Sequence, residues 1–209
     1  MAAEEPRVMS AQGFDPGYFA VLHEVEQRHF WFRARNRAIA AVLQGLDLGR
    51  AARVVEIGCG TGNALSQIRA VFPGSVVIGV DRFGEGLRFA RTRVSCSLVQ
   101  ADVNALPFGS GFDVVCLLDV VEHLADDIEA LRVARGLLAE KGTLVVTVPA
   151  EPALWSYFDE AAGHQRRYTA AEFYNAVSLL RQYYPDCGIT ADLIVGFPGE
   201  TEEEFEKTL

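Results

Sequence analysis

Short apolar runs alternate with helical patterns through most of the chain. Runs rich in Val, Ile and Leu predict five buried strands, at residues 53–57, 76–80, 97–100, 112–119 and 142–148. Apolar residues recur at helical spacing at 18–46, 63–72, 84–93 and 126–139. Strands that alternate with helices predict an α/β fold, here a Rossmann-like doubly wound parallel sheet with helices on both faces.

A sixth apolar run lies near the carboxyl end of the sequence. Residues 189–195 predict a strand parallel and adjacent to 142–148, reached through a helix at 170–184. Thr201 with Glu204 forms a capping-box pattern, which predicts a final short helix. The predicted strand order is therefore 3-2-1-4-5-6, with all strands parallel.

The first strand leads into a glycine-rich turn. Glu56 stands at its carboxyl end, Gly58, Gly60 and Gly62 follow at alternate positions, and a helical pattern begins at Asn63. Glycine permits positive φ and lets a ligand approach the backbone closely. Open α/β sheets bind ligands at the carboxyl ends of their strands. An acidic residue beside this turn would repel a pyrophosphate, so the pattern favours a ligand with a positive group.

Two phosphate-binding patterns fit this turn less well. The dinucleotide fingerprint G-x-G-x-x-G would need a third glycine where the chain has Asn63, and no Gly-Lys-Ser/Thr of a Walker loop follows. The pattern E-x-G-x-G-x-G instead resembles the first motif of the class I S-adenosylmethionine (SAM) methyltransferases. A plain glycine-rich turn between a strand and a helix is the alternative interpretation.

Two later segments carry the same resemblance. Asp81 ends the second strand, where nucleotide-binding α/β folds place a carboxylate on ribose hydroxyls, although it could be an ordinary strand-end aspartate. Asp102 and Val103 resemble the family's adenine-binding pair, although Asp102 could be a turn former. The resemblance implies SAM or S-adenosylhomocysteine (SAH) as the cofactor. The residues it places around that cofactor are Glu56, Gly58, Cys59, Gly60, Thr61, Gly62, Asn63, Asp81, Arg82, Asp102, Val103, Leu118 and Asp119.

Three segments resemble the family's substrate side. They are H-F-W-F-R-A-R-N at 29–36, F-D-V-V…E-H-L at 112–124 and G-H-Q-R-R-Y-T at 163–169. The alternative interpretations are aromatic side chains packed on the sheet, a histidine that caps a helix, and a loop held by its own hydrogen bonds. The residues implied at the substrate are Trp31, Arg33, Trp155, Arg167 and Tyr168, and those implied in catalysis are His123 and His164.

The carboxyl-terminal segment departs from this family. Residues 176–209, with G-F-P-G-E-T at 196–201, resemble a piece of the radical-SAM methylthiotransferase barrel. The cysteine cluster C-x-x-x-C-x-x-C that binds iron–sulfur in those enzymes is absent from the sequence. We therefore predict a chimera joined near 172–180, with a SAM-binding core at 1–175 and a helix–strand–helix segment at 176–209 that completes the sheet edge.

Composition and charge narrow the choice of partners. The net charge is −9, and five glutamates with one lysine fall in the last ten residues, a balance that does not favour a nucleic-acid partner. No apolar run reaches the ~18 residues of a membrane span, and no secretory signal is visible. The four cysteines form no C-x-x-C pair, which indicates reduced thiols. We predict a cytoplasmic protein with no membrane or metal site.

The predicted function is transfer of the methyl group of SAM to a small-molecule acceptor. The alternative is a SAM-binding or structural scaffold without turnover, because the carboxyl end departs from the family pattern. A nicotinamide dehydrogenase is disfavoured by Asn63 in place of glycine. The sequence gives no prediction of the acceptor or the oligomeric state.

Overall fold

The computed structural model of the chain describes residues 14–48, 51–172 and 175. Its centre is a five-stranded, all-parallel sheet in the order β3-β2-β1-β4-β5. This confirms the predicted α/β fold and the order of its first five strands. The strands are β1 (Arg53–Ile57), β2 (Val76–Asp81), β3 (Ser97–Gln100), β4 (Phe112–Leu118) and β5 (Leu138–Thr147). The helices are α1 (Phe19–Val25), α2 (Phe30–Gln44), α3 (Asn63–Val71), α4 (Gly84–Arg93), α5 (Asp127–Leu137) and α6 (Tyr157–Ala162).

The sheet separates two hydrophobic cores. Strands β1 and β4 lie at its centre and are almost wholly buried, so both of their faces are apolar. Val55 and Leu117 point to the face covered by α5. Val54 and Cys116 point to the opposite face, which α2 and α3 cover. This layering brings the carboxyl ends of β1, β2 and β4 together at one edge, next to the glycine turn.

The helix predicted at 18–46 is two helices. A short 3-10 turn (Pro16–Tyr18) leads into α1, and a break at residues 26–29 separates α1 from α2. Glu26 lies in this break and is 8% exposed because its side chain turns inward to an arginine of α4. The helical spacing predicted one helix because apolar positions lie on both sides of the break, although residues 26–29 themselves are polar.

The boundary between the last described helix and strand also differs from the prediction. Helix α5 ends at Leu137, and β5 begins directly at Leu138, four residues before the predicted Gly142. Leu138 pairs with Phe112, and the register shifts before Val114 pairs with Thr143. Pairing with β4 therefore extends the strand into residues whose own pattern is helical.

Several predictions lie outside the described residues. They are the strand at 189–195, most of the helix at 170–184, the capping box of Thr201 and Glu204, and Cys187. Among the described residues, Cys59 and Cys116 are buried free thiols and Cys96 is a half-buried one. No helix in the described ranges is long and apolar enough to cross a membrane.

Candidate cofactor and acceptor site

The glycine turn has the conformation that its sequence predicts. Gly58 and Gly62 have φ values of 78° and 77°. A Cβ atom at Gly58 would lie 2.4 Å from Cγ2 of Val120, and one at Gly62 would lie 3.0 Å from Cα of Ala90. Both positions therefore require glycine, for backbone conformation and for space.

Asp81 fixes the shape of this turn. Its Oδ2 accepts a 2.8 Å hydrogen bond from the backbone N–H of Gly60, and its Oδ1 accepts one of 2.8 Å from Phe83. Burial raises the pKa of this carboxyl, and the two backbone hydrogen bonds oppose that rise. Each oxygen can accept a further hydrogen bond, so Asp81 orders the turn and still has acceptor capacity for a ligand.

Glu56 is a buried carboxyl beside the turn. It is 2% exposed, and within the described part of the chain its Oε2 has no hydrogen-bond partner. Burial raises its pKa to about 8, nearby Arg35 opposes the rise, and Asp81, Glu26 and Asp119 add to it. Burying a carboxyl oxygen without a hydrogen-bond donor costs free energy. This site is therefore suited to a ligand that brings a positively charged hydrogen-bond donor.

An ion pair that the sequence analysis did not identify faces Glu56. Arg35 of α2 lies 2.7 Å from Asp119, measured from Nε to Oδ2. Asp119 has a φ of 55° and is held by Thr147, whose hydroxyl donates to its Oδ1 over 2.8 Å. Arg33, the arginine predicted at the substrate, is exposed on α2. Arg33 and Arg35 are only two residues apart, so the sequence does not distinguish them. The packing of α2 on the sheet decides which of them points inward.

A second buried pair also escaped the sequence analysis. Arg93 of α4 forms an ion pair with Glu26, and the two side chains are 5% and 9% exposed. The hydroxyl of Thr61 donates to Glu26 over 2.5 Å, and Arg93 donates to that hydroxyl over 2.7 Å and to the His23 carbonyl over 2.6 Å. The side chain of Thr61 thus links the glycine turn to α1 and α4.

The predicted adenine end of the site lies after β3. Asp102 caps the 3-10 turn Val103–Ala105, with its Oδ1 accepting from the Asn104 N–H over 3.0 Å. Val103 is 8% exposed, and Arg82 is 3.9 Å from Asp102 at the surface. Asp102 is therefore a turn former, and its Oδ2 is left for Arg82 or a ligand. The other predicted cofactor residues Cys59, Asn63 and Leu118 are all buried at the same edge.

Two histidines, one of them shortly after the carboxyl end of β4, lie in contact. The rings of His123 and His164 are 4.8 Å apart between centroids, and Phe14 packs edge-on against His123. Burial, with His164 as the next contribution, lowers the pKa of His123 to about 4. Nδ1 of His164 lies 2.9 Å from Oδ1 of Asp159. The structure thus joins two residues that the sequence placed in separate motifs.

A buried glutamate that the sequence analysis did not assign lies beside these histidines. Glu122 is fully buried, and burial raises its pKa well above the usual range. Asp119 adds to that rise, while the N–H of Glu122 itself opposes it. The E-H-L motif could have revealed this residue. Glu122 follows shortly after the apolar strand β4, and a charged residue is unusual in such a buried setting.

The loop at 163–169 is held by hydrogen bonds from its side chains to neighbouring segments. Arg167 donates to Asp159 over 2.8 Å and to the Ala150 carbonyl over 2.9 Å, and Tyr168 donates to Asp127 over 2.8 Å. These contacts favour the alternative interpretation, in which the loop residues fix the loop. Trp31 is half-buried and Trp155 is exposed, and Arg35 stacks on Trp31 at 5.5 Å from its ring centroid.

A family model described as a methyltransferase domain matches residues 23–180, which is most of the chain. The chain belongs to this methyltransferase family. The glycine turn, Glu56 and Asp81 all lie inside the matched range.

Solved structures of other methyltransferases, two of them with SAM or SAH bound, are similar to this chain. SAM-bound CalS10, an amino pentose methyltransferase from Micromonospora echinaspora, is 26% identical, with 69% of this chain and 58% of that one covered and a TM-score of 0.51. Two structures with lower sequence identity share the fold. A chain of the Haloferax volcanii Trm112 activator–methyltransferase complex is 22% identical, covering 78% of this chain and 74% of that one (TM-score 0.64). The plantazolicin methyltransferase BpumL with SAH is 16% identical, covering 81% and 71% (TM-score 0.62).

A different similarity covers a short segment. The tRNA-2-methylthio-N(6)-dimethylallyladenosine synthase of Xanthomonas oryzae pv. oryzae is 56% identical over 45 residues, and that of Thermosipho africanus is 48% identical over 44. These matches span 22% and 21% of this chain and only 9% and 10% of the synthases.

Proposed function

We propose that this methyltransferase transfers the methyl group of SAM to a nucleophilic oxygen or nitrogen of a small-molecule acceptor. The observation that carries the proposal is the pair of carboxyls at the glycine turn: Asp81 shapes the turn, while Glu56 keeps a buried oxygen without a donor among the described residues. SAM supplies an electrophilic methyl group on its sulfonium. The protein positions the two reactants and excludes water.

The two carboxyls divide the work at the cofactor. The sequence analysis matched Glu56 to a ligand with a positive group, without naming that group. Because Asp81 already holds the Gly60 N–H, we assign Glu56 to the ammonium group of the cofactor's methionine part. Asp81 then takes the ribose hydroxyls with its remaining lone pairs, and Asp102 with Val103 takes the adenine.

The ion pair of Arg35 and Asp119 completes the methionine end. Arg35 lies between two acidic side chains, paired with Asp119 and opposing the rise in the pKa of Glu56. The guanidinium of Arg35 can therefore bind a carboxylate of the ligand, while the acidic side chains beside it bind an ammonium group of the same ligand. An amino-acid head group carries both charges, so this arrangement supports SAM over a nicotinamide cofactor.

The acceptor side is bounded by the aromatic and histidine residues. We assign His123 and His164 to this wall because their rings meet near the carboxyl end of β4. Trp155 is exposed nine residues before His164. Trp31, on α2, is assigned to the wall from the family resemblance alone. Arg167 and Tyr168 hold the loop at 163–169, which carries His164, in place. CalS10 is an amino pentose methyltransferase. Amino sugars, and the corresponding sugars without the amino group, are therefore the first acceptors to test.

The test is SAH formation with a panel of such acceptors. We expect SAM to bind and SAH to accumulate with at least one acceptor, and the methylated product to appear in equal amount. SAM binding without SAH formation on any acceptor would support the non-catalytic scaffold instead. Calorimetry with NADH serves as the control, since no binding is expected.

Binding of SAM should release a proton from Glu56. The pKa of this carboxyl is about 8 in the free protein, and a neighbouring ammonium favours the ionised form. Below that pKa the proton must leave on binding, so SAM affinity should rise with pH by up to about tenfold per unit between roughly pH 6 and 8. Calorimetry at about pH 6.5 in buffers of different ionisation enthalpy measures the release.

The variant Glu56→Gln isolates this effect. It keeps the shape of the side chain and cannot titrate, so proton release should disappear and the affinity should become weaker and nearly independent of pH. A wild-type chain that binds SAM with no proton exchange would show that Glu56 does not meet the ammonium.

We also propose that the chain has two parts, a methyltransferase core at 1–175 and a segment at 176–209 of different origin. The short matches to methylthiotransferases support this division. Every proposed cofactor residue lies between 35 and 119, so a chain ended after residue 180 should bind SAM within ~0.5 kcal/mol of the full chain. Calorimetry on both forms, with melting curves as the folding control, measures this. A folded short form that no longer binds SAM would contradict the division.

A further inference from the structure

We propose that Glu122, His123 and His164 form a binding site for one first-row transition-metal dication, such as Zn²⁺. Each residue offers one donor atom, and the three atoms lie within 4.8 Å of one another. Nitrogen and carboxylate donors in this combination suit Zn²⁺ and its neighbours, whereas Mg²⁺ and Ca²⁺ prefer oxygen alone.

The buried carboxylate is the strongest sign that something is missing from this cluster. Glu122 is 0% exposed, and neither of its oxygens has a hydrogen-bond partner on another described residue. Nδ1 of His123 is likewise buried with no partner among the residues that the structure describes. Buried polar atoms are almost always paired, and a cation between the two side chains would satisfy both.

His164 is oriented as a ligand rather than as a free side chain. An ionised aspartate can only accept, so the 2.9 Å contact between Asp159 and Nδ1 of His164 requires a proton on Nδ1. The lone pair of the imidazole is then on Nε2. Asp159 is itself fixed by Arg167 at 2.8 Å and by the Ser156 N–H at 2.9 Å. A carboxylate behind a histidine is the usual outer support of a metal ligand.

The two segments that carry the ligands are tied together. The N–H of Gln165 donates to the Glu122 carbonyl over 2.8 Å, and its side-chain amide donates to the His123 carbonyl over 2.8 Å. Arg166 reaches across to Asp127 at 3.1 Å. The ligand backbones are therefore held in place before any metal arrives, and side-chain rotations alone have to close the remaining distance.

The site would have an open position. Three protein ligands are the usual set at catalytic zinc, where the fourth position is left for water or substrate. The cluster begins three residues after Asp119, at the same edge as the cofactor turn, so an acceptor oxygen or nitrogen could occupy that position. This role rests on the proposed methyl transfer, while metal binding itself does not.

The experiment is a metal titration of the full chain after treatment with chelator. We expect one Zn²⁺ per chain by calorimetry and by elemental analysis, and we expect Co²⁺ to give a visible d–d spectrum that Zn²⁺ abolishes and Mg²⁺ does not. Glu122→Gln and His164→Gln should each weaken Zn²⁺ binding at least tenfold, and Asp159→Asn about 10- to 100-fold. His29→Gln removes an exposed histidine of the same chain and should leave Zn²⁺ binding unchanged.

Two results would overturn the site. The first is a wild-type chain that binds neither Zn²⁺ nor Co²⁺, and this measurement does not depend on the folding of any variant. The second is Zn²⁺ binding that persists unchanged in folded Glu122→Gln and His164→Gln. Titration of the same wild-type sample with SAH separates the two proposals: SAH binding without Zn²⁺ rejects the metal site alone, and Zn²⁺ binding without SAH rejects the proposed function alone.

Discussion

Asp81→Ala is expected to weaken SAM binding by about 100-fold or more. A charge-assisted pair of hydrogen bonds to the ribose is worth roughly 1.5–3 kcal/mol, which is about tenfold to more than a hundredfold in affinity. The same change also removes the acceptor of the Gly60 and Phe83 N–H groups, each now 2.8 Å from the carboxylate. The turn that should face the cofactor loses its anchor together with the ribose contact. Calorimetry with SAM and SAH measures the loss.

Asp113→Ala is the matched control for this experiment. Asp113 also accepts from a backbone N–H, that of Arg53 at 2.7 Å, but it stands at the amino end of β4, the opposite edge of the sheet. Its removal should leave SAM affinity unchanged. Asp81→Asn separates charge from shape, since it keeps one acceptor oxygen. If Asp81→Ala bound SAM as tightly as the wild type, the ribose would have to be held by other residues.

Arg93→Met is expected to lower the free energy of unfolding by about 3–5 kcal/mol, because removing one partner leaves the other charge buried and unpaired. Glu26 and Arg93 are 9% and 5% exposed, so water cannot replace the lost partner. The change also frees the hydroxyl of Thr61 and the His23 carbonyl from their arginine contacts. Urea unfolding, followed by circular dichroism, measures the stability.

Arg91→Met is the control, since this exposed arginine lies on the same helix and its removal should cost no more than ~0.5 kcal/mol. The double variant Glu26→Gln with Arg93→Met should regain part of the loss, because the unpaired charge is then gone. A loss of less than about 1 kcal/mol in Arg93→Met would mean that solvent reaches the pair. SAM affinity should fall with stability, since Thr61 belongs to the cofactor turn.

The geometry of the proposed cofactor half of the site was largely predictable from the sequence. The residues of the turn are close together in the chain, and the carboxylates lie at the carboxyl ends of β1 and β2. Parallel strands bring those ends to one edge of the sheet. The roles were less predictable. Asp81, expected at the ribose, also orders the turn, and this leaves Glu56 for the ligand.

The proposed acceptor half was harder to predict because it is assembled from distant segments. Glu122 and His123 meet His164 only after the chain has passed through α5, β5 and α6. No local pattern encodes that meeting. Arg167 and Tyr168 illustrate the same limit: their residue types suited a substrate wall, but their polar atoms are bound to Asp159 and Asp127.

Local sequence determined the fold class, the positions of all five described strands and the glycine turn of this methyltransferase. The physical reason is that buried parallel strands need continuous apolar runs and that positive φ needs glycine, and both are readable residue by residue. Tertiary structure alone decided the break after α1, the choice of Arg35 over Arg33, and the cluster around Glu122. These depend on which charged side chains are buried together, because the cost of burying a charge is offset only by a partner supplied from another part of the chain.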